Sequence, residues 1–206
     1  MHKTDFAESG VSAEKATGAL VLLHGRGASP EDILQLSQSL NLQDFHILAP
    51  RASNNTWYPY SFLAPAEKNE PWLGSALSLI KELTDRLISK GIPASKIFIL
   101  GFSQGACLAL EFAARNAKQW GGIIAFSGGL IGETINENNY SGNFEGTPVF
   151  IGNSDTDPHI PVERCRQSAV ILDKMKAGVT LKIYPAMGHT VNRDELSEAD
   201  KILNPV

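Results

Sequence analysis

Cysteine is scarce in this sequence, because only Cys107 and Cys165 occur among 206 residues. Two cysteines are too few for a disulfide framework, and a chain of this length buries enough surface to fold without one. Cys107 falls within an apolar helical pattern, so we expect both residues to be reduced thiols. The first 18 residues also contain no apolar run of the kind found in secretory signals, which favours a cytoplasmic location.

An excess of positive charge is also absent. The 18 Lys and Arg residues are outnumbered by 22 Asp and Glu residues, which leaves a net charge of −4. Such a chain lacks the basic face that binds nucleic acid or anionic lipid. No apolar run in the sequence is long enough to cross a bilayer, so we expect no stable membrane insertion.

Motifs for cofactors and metals are missing as well. The stretch GRGASP at 25–30 lacks the third glycine of a dinucleotide-binding loop, and no glycine-rich loop continues into G-K-[ST]. No pair of histidines or cysteines has the spacing of a zinc site. We therefore expect neither a metal nor a cofactor.

Short apolar runs alternate with longer amphipathic ones along the chain, which is typical of a parallel α/β sheet. The predicted strands, several of them apolar at nearly every position, are 19–24, 45–50, 96–101, 121–127, 148–153 and 179–185. The predicted helices are 30–40, 73–90, 104–117, 161–176 and 192–203. We expect a mostly parallel central sheet with helices on both faces, in a single domain over 1–206 that begins with a polar segment, 1–17.

The stretch GFSQG at 101–105 is the only G-x-S-x-G match in the chain. The pattern alone is weak, since glycine and serine are both common. Its setting is more specific, because a buried-type strand precedes it and a helix follows. The glycines leave room for a sharp turn, and the start of the helix offers N–H groups to a developing oxyanion. We expect Ser103 to be a nucleophile rather than a plain turn serine.

A nucleophilic serine needs a base, and in this arrangement an acid and then a histidine should follow it, each just beyond a strand. His189 comes directly after the last predicted strand and fits the base. His159 also follows the serine, but it lies too close to the candidate acids to be oriented by them. Those acids are Asp157 and Asp155. Asp157 precedes a proline in a rigid loop and is preferred, while Asp155 stays open as the alternative.

An oxyanion hole needs two N–H donors aimed at the developing negative charge. One should come from Gln104, directly after the nucleophile, and the other from the glycine-rich loop after the first predicted strand. Gly25 and Gly27 would let the backbone approach a substrate closely there. We choose the N–H of Arg26, whose side chain need not matter. A glycine-rich turn with no catalytic part is the alternative.

Four blocks, LLHGRGAS, LGFSQGACLALEFA, DTDPHIP and YPAMGHTV, resemble the signature blocks of the phospholipase/carboxylesterase family of α/β-hydrolases. They occur in the family's order, and the likeness covers nearly the whole chain. The resemblance implies an α/β-hydrolase fold and cofactor-free hydrolysis of a small-molecule acyl ester, with thioesters and lysophospholipids as further candidates. It implies Ser103 as nucleophile, Asp157 as acid and His189 as base, with the amides of Arg26 and Gln104 as oxyanion hole. The family also allows a homodimer.

Two long stretches, 51–70 and 128–147, fit neither the strand nor the helix pattern. Connections of that length are usually walls or lids of a functional site. The aromatic content of the first resembles the small bacterial esterases more than the protein-depalmitoylating members. We expect Trp57, Tyr58 and Phe62 to wall the acyl or alcohol pocket next to the serine; the alternative is that they anchor the loop on the core.

One competing function stays open at this point, and one alternative nucleophile is disfavoured. A hydrolase fold can serve as a ligand-binding protein with little or no turnover, and fold alone does not settle function. A cysteine nucleophile, as in dienelactone hydrolases, would have to be Cys107. That residue lies four positions into the helix rather than at the elbow, and a buried cysteine on an apolar face is more often inert packing.

Overall fold

A computed structural model of the protein describes residues 1–205. In this part of the chain the strands are β1 (Phe6–Gly10), β2 (Gly18–Leu23), β3 (Phe45–Pro50), β4 (Ile97–Phe102), β5 (Gly122–Phe126), β6 (Pro148–Ser154) and β7 (Gly178–Tyr184). They form one sheet in the order β1-β3-β2-β4-β5-β6-β7. Every neighbouring pair is parallel except β1 and β3, which are antiparallel. The expected mostly parallel sheet is therefore confirmed.

Helices cover both faces of the sheet, as expected. They are α1 (Pro30–Ser37), α2 (Trp72–Ser89), α3 (Gln104–Arg115), α4 (Val162–Lys174) and α5 (Arg193–Leu203). Buried side chains of α2, α3 and α4 belong to the core on one face, and those of α1 and α5 to the core on the other. Within residues 1–205, no helix is both long and apolar enough to span a membrane.

The central strands are apolar on both sides because both sides are covered. In β2, Ala19, Val21 and Leu23 point into one core, while Leu20 and Leu22 point into the other. All five side chains are fully buried. This two-sided burial explains why the sequence shows continuous apolar runs here rather than an alternating pattern.

Two elements differ from the sequence expectations. β1 lies within the segment that was expected only to be polar, and its sequence FAESG has no apolar run. It forms the edge of the sheet because its backbone pairs with β3, from Phe6 opposite Pro50 to Gly10 opposite His46. α1 ends at Ser37 rather than residue 40, since each of the next three N–H groups donates to the carbonyl three residues earlier, a tighter turn than an α-helix.

The carboxyl ends of the parallel strands meet at one edge of the sheet, and the segments that leave them carry the predicted site. Ser103 follows β4, Asp157 follows β6, and His189 follows β7. The glycine-rich loop with Arg26 follows β2, and the long connection 51–70 follows β3. Ligand sites of open α/β sheets lie at this edge.

Candidate active site

Ser103 occupies a sharp turn between β4 and α3. Its backbone has φ 56° and ψ −119°, a strained conformation for a residue other than glycine. The flanking glycines are required by close packing, because a Cβ on Gly101 would collide with the backbone of Gly105, and one on Gly105 with the backbone of Leu23. The turn therefore has the form of a nucleophile elbow, as the motif predicts.

Ser103, His189 and Asp157 form a hydrogen-bonded chain. The Oγ of Ser103 lies 2.9 Å from Nε2 of His189, and Nδ1 of His189 lies 2.7 Å from Oδ2 of Asp157. The Asp157 side chain is fully buried, whereas that of His189 is 19% exposed. The predicted base is thus reachable from the cavity that contains the serine, while the predicted acid lies behind it.

The loop around Asp157 keeps its carboxylate ionised. Burial raises its pKa, but hydrogen bonds from His189 and from the backbone N–H groups of His159 and Ile160 outweigh burial, so the pKa lies below its usual value. The two N–H groups donate to Oδ1 over 2.8 and 3.0 Å. An ionised carboxylate only accepts, so the hydrogen on Nδ1 of His189 must donate to it. The other ring nitrogen, Nε2, is then left to accept from the serine.

Asp155, the alternative acid, has a different partner. Its Oδ1 accepts the N–H of Ala186 over 2.7 Å, and its side chain is exposed. The structure therefore brings Asp157 rather than Asp155 to the histidine, and Asp155 instead holds the segment that leads to His189.

Two rings fix the orientation of His189. The ring of Phe102 lies 5.0 Å from it, and the ring of His159 packs against it edge-on at 4.8 Å with an interplanar angle of 76°. His159 therefore sits beside the predicted base instead of replacing it. Its position next to the ring could not be read from the sequence, where it is only a loop histidine near the acids.

The predicted oxyanion donors flank Ser103. Gln104 begins α3, and a Cβ built on Gly25 would lie 3.5 Å from the Cβ of Ser103, so the glycine-rich loop approaches the serine closely. Among residues 1–205, the backbone N–H groups of Arg26 and Gln104 have no hydrogen-bond partner. Both residues line the cavity that contains Ser103.

The side chain of Arg26 has a structural role that the sequence analysis did not identify. Its guanidinium donates to the carbonyl oxygens of Tyr58, Pro59 and Tyr60 over 2.7 to 2.9 Å. The side chain of Gln104 reinforces this attachment, since its amide donates to the Tyr58 carbonyl over 2.8 Å. Both residues with predicted oxyanion amides therefore also hold the aromatic loop with their side chains.

The cavity beside Ser103 has a volume of about 520 Å³, and we call it the Ser103 cavity. Tyr58 and Phe62 line it, as expected. Trp57 does not, and this part of the expectation is corrected. Its fully buried indole donates from Nε1 to the carbonyl of His24 over 2.8 Å, so it anchors the loop to the core.

Cys107 also lines the Ser103 cavity but does not have the properties of a nucleophile. Burial raises its pKa to about 12, so the group is a neutral thiol at physiological pH. Burial likewise raises the pKa of Cys165 to about 12, and both cysteines are free. Within residues 1–205, no three His, Cys, Asp or Glu side chains are grouped so that they could hold a metal ion.

Comparison with known proteins identifies the family. The model of the phospholipase/carboxylesterase family matches residues 8–206. A phospholipase/carboxylesterase of Dyadobacter fermentans superposes with a TM-score of 0.96 at 48% identity, over 98% of this chain and 97% of that one. Acyl-protein thioesterase 1 of Debaryomyces hansenii is 28% identical over 95% of this chain and 94% of its own. A probable carboxylesterase of Arabidopsis thaliana is also 28% identical, over 86% and 74% respectively. The chain belongs to the phospholipase/carboxylesterase family of α/β-hydrolases.

Proposed function

We propose that this protein hydrolyses small carboxylic esters or thioesters through an acyl-enzyme formed on Ser103. The observation that carries the proposal is the chain of contacts from Ser103 through His189 to Asp157, at 2.9 and 2.7 Å. Membership of an esterase and thioesterase family supports the reaction class.

In the first half of the reaction, Ser103 attacks the substrate carbonyl while Nε2 of His189 takes the proton from its hydroxyl. The N–H groups of Arg26 and Gln104 stabilise the oxyanion of the tetrahedral intermediate. Asp157 stabilises the imidazolium, because its carboxylate is ionised and accepts from Nδ1. His189 then gives the proton to the leaving alcohol or thiol, and the acyl group stays on the serine.

In the second half, water replaces the leaving group at the same position. His189 takes a proton from the water, which attacks the acyl-enzyme carbonyl and forms a second tetrahedral intermediate. The intermediate collapses, the proton returns to the Oγ of Ser103, and the carboxylic acid leaves. The scheme needs no cofactor, because the nucleophile, the base and the oxyanion donors all come from the chain.

Hydrolysis of p-nitrophenyl esters from acetate to palmitate tests the proposal. Ser103→Ala and His189→Ala should each lower kcat by at least about 10³-fold, and Ser103 should be labelled by a serine-directed phosphonate only when His189 is present. A folded wild-type protein that hydrolyses no ester and resists labelling would contradict the proposal and favour a ligand-binding role.

The two aspartates give a matched pair of variants. Asp157→Asn should lower kcat on the order of 10⁴-fold, because the amide no longer favours the required tautomer of His189. Asp155→Asn keeps an oxygen that can accept from Ala186, so its kcat should stay within about threefold of wild type. The reverse order would show that Asp157 is not the acid.

A further inference from the structure

A second cavity, of about 430 Å³, adjoins the Ser103 cavity at His189. It shares Gly25, Ala28, Phe102 and His189 with that cavity. Its remaining walls come from His24, from α1 and from the residues directly after His189, and we call it the α1 cavity. Neither Ser103 nor Gln104 lines it.

The walls of the α1 cavity are mainly apolar. Ile33 and Leu36 extend from α1, and Val191 lies two residues after His189. Leu36 and Val191 are half-buried, so their apolar surface is available to a ligand. α1 is held in place at its N-terminus, where the side chains of Ser29 and Asp32 form a capping box.

The proposed reaction requires two arms of the substrate to leave the carbonyl carbon in different directions. The leaving oxygen or sulfur must lie next to Nε2 of His189, which gives it a proton. The carbonyl oxygen points towards the amides of Arg26 and Gln104, and the acyl arm occupies the remaining direction. The Ser103 cavity contains the nucleophile and both amides, whereas the α1 cavity touches only the base. Because the two cavities join at His189, the arm that departs with the proton has the α1 cavity next to it.

We infer that the α1 cavity is a binding subsite for the alcohol or thiol arm of the substrate. The inference rests on the proposed function and adds to it the chemical class of the leaving group. Ile33, Leu36 and Val191 fit an uncharged aliphatic arm of several carbons. Asp32 is the charged residue among the lining, which includes no Lys or Arg, so an alcohol that carries phosphate is disfavoured.

A series of acetate esters with unbranched alcohols from ethanol to octanol measures this subsite. These alcohols have nearly the same acidity, so the series varies contact with the walls rather than leaving-group chemistry. We expect kcat/KM to rise about threefold for each added methylene until the cavity is filled. The value of kcat should change less, since every ester forms the same acetyl-enzyme.

Substitutions on α1 test whether the dependence of kcat/KM on alcohol length arises from the α1 cavity. Leu36→Trp fills the space, so the advantage of hexyl acetate over ethyl acetate should shrink by about tenfold or more. Leu34→Trp is the matched control, because Leu34 is also half-buried on α1 but does not line the cavity. That variant should keep the wild-type ratio. Leu36→Ala, which removes side-chain volume, should move the optimum to longer alcohols and serves if the Trp variant does not fold.

The outcomes separate this inference from the proposed function. If esters are hydrolysed and Leu36 variants leave the dependence on alcohol length unchanged, the subsite is overturned and the proposed function stands. If kcat/KM falls as the alcohol lengthens in the wild type, the subsite is likewise overturned. If a folded wild-type protein hydrolyses no ester and Ser103 resists phosphonate labelling, both proposals fail together.

Discussion

The two long irregular connections, residues 51–70 and 128–147, are fastened in the same way but serve the molecule differently. One arginine guanidinium holds each, by donating to three backbone carbonyl oxygens of the connection: Arg26 for the first and Arg164 for the second. A planar guanidinium with five N–H donors suits this task, because a single side chain can satisfy several unpaired carbonyls.

The first connection forms a wall of the Ser103 cavity. Tyr58 and Phe62 line the cavity, and Arg26, which holds the connection, lies on the same rim. Arg26 is exposed. Gln104 adds two more contacts, accepting from the N–H of Trp57 and donating to the carbonyl of Tyr58. The shape of the wall is thus tied directly to the two residues with predicted oxyanion amides.

The second connection contributes no residue to the Ser103 cavity as lined by the described chain. Its two ends pack into the core instead, and buried Arg164 donates to its carbonyls at Leu130, Gly132 and Glu133. The fully buried Glu111 accepts from two further groups of the connection, the N–H of Ile131 and the hydroxyl of Tyr140. The length of a connection therefore does not show whether it belongs to a site. The location of the arginine that holds it is more informative, since Arg26 lies on the rim of the Ser103 cavity and Arg164 does not.

The largest expected effect comes from releasing the second connection. Arg164→Ala leaves three carbonyl oxygens without their charged donor in a buried place, so we expect the free energy of unfolding to fall by about 3 to 5 kcal/mol. Urea unfolding measures this. Arg166→Ala, an exposed arginine on the same helix α4, should change it by less than about 0.5 kcal/mol.

Activity gives the second readout of the same variant. Because the guanidinium of Arg164 lies 5.9 Å from the ring of Phe62, a small change in kcat/KM is expected, of at most about threefold. A large loss of kcat/KM without a loss of stability would show that the second connection also belongs to the site and would remove the difference between the two connections.

A third segment, 185–192, contains His189. No arginine of the described chain holds it by a hydrogen bond; instead its backbone N–H groups donate to side-chain oxygens of Ser154 and Glu195. The hydroxyl of Ser154 accepts the N–H groups of Met187 and Gly188. Oε2 of Glu195 accepts the N–H of Asn192 over 2.9 Å. The other carboxyl oxygen of Glu195, Oε1, is buried and has no partner among residues 1–205.

Glu195, next to this third segment, makes the stability of the fold depend on pH. Burial raises its pKa to about 7, and the neighbouring charge of Asp194 adds to the rise. The folded protein therefore holds the proton more tightly than the unfolded chain does. The stabilisation that comes from this proton is fully present below the ordinary pKa of about 4.5. It is lost as the pH rises through 7, which lowers the free energy of unfolding by up to about 3 kcal/mol.

Glu195→Gln should remove this dependence. A glutamine still accepts from Asn192 but does not ionise, so the variant should be up to about 3 kcal/mol more stable than wild type at pH 8 and differ little at pH 4.5. Urea unfolding of both proteins at the two pH values measures the difference. His2 and His24, whose pKa values burial lowers, are common to both proteins and cancel. If the two proteins differed in free energy of unfolding by the same amount at both pH values, the prediction would be contradicted.

Much of the fold follows from the sequence, because buried parallel strands show continuous apolar runs. β1 was missed since its contacts are made by the backbone at a sheet edge, and backbone pairing leaves no side-chain pattern. The sequence could predict that Ser103, Asp157 and His189 meet, for two reasons. A glycine turn marks Ser103, and the order of the strands places Asp157 and His189 at the same edge of the sheet.

The interior of the first connection could not be predicted in the same way. It has no regular period, so nothing in its sequence shows that Trp57 points into the core while Tyr58 and Phe62 face the cavity. The part played by Arg26 depends on where three distant carbonyls end up, which is a property of the folded path. Each residue of the predicted triad is marked by its own short stretch of sequence, whereas the shape of the pocket depends on the folded path of the whole connection.

The smallest expected effect comes from releasing the first connection, and it should appear in selectivity. Arg26→Ala keeps the backbone N–H that is proposed to bind the oxyanion but removes the three hydrogen bonds to residues 58–60. Since the side chain is exposed, stability should fall by no more than about 1 kcal/mol. The loosened wall should lower kcat/KM by about tenfold for hexanoyl and longer esters and less for acetyl esters, because a longer acyl arm contacts more of it.

Arg51→Ala is the matched control for this variant. Arg51 begins the same connection but pairs with Asp5 and Glu31 instead of holding the wall. Its removal should leave the ratio of hexanoyl to acetyl kcat/KM unchanged, while Arg26→Ala lowers that ratio. If Arg26→Ala slows all esters equally, its side chain acts on the oxyanion site rather than on the acyl wall. The hold of Arg26 on the first connection would then not determine selectivity for the acyl arm.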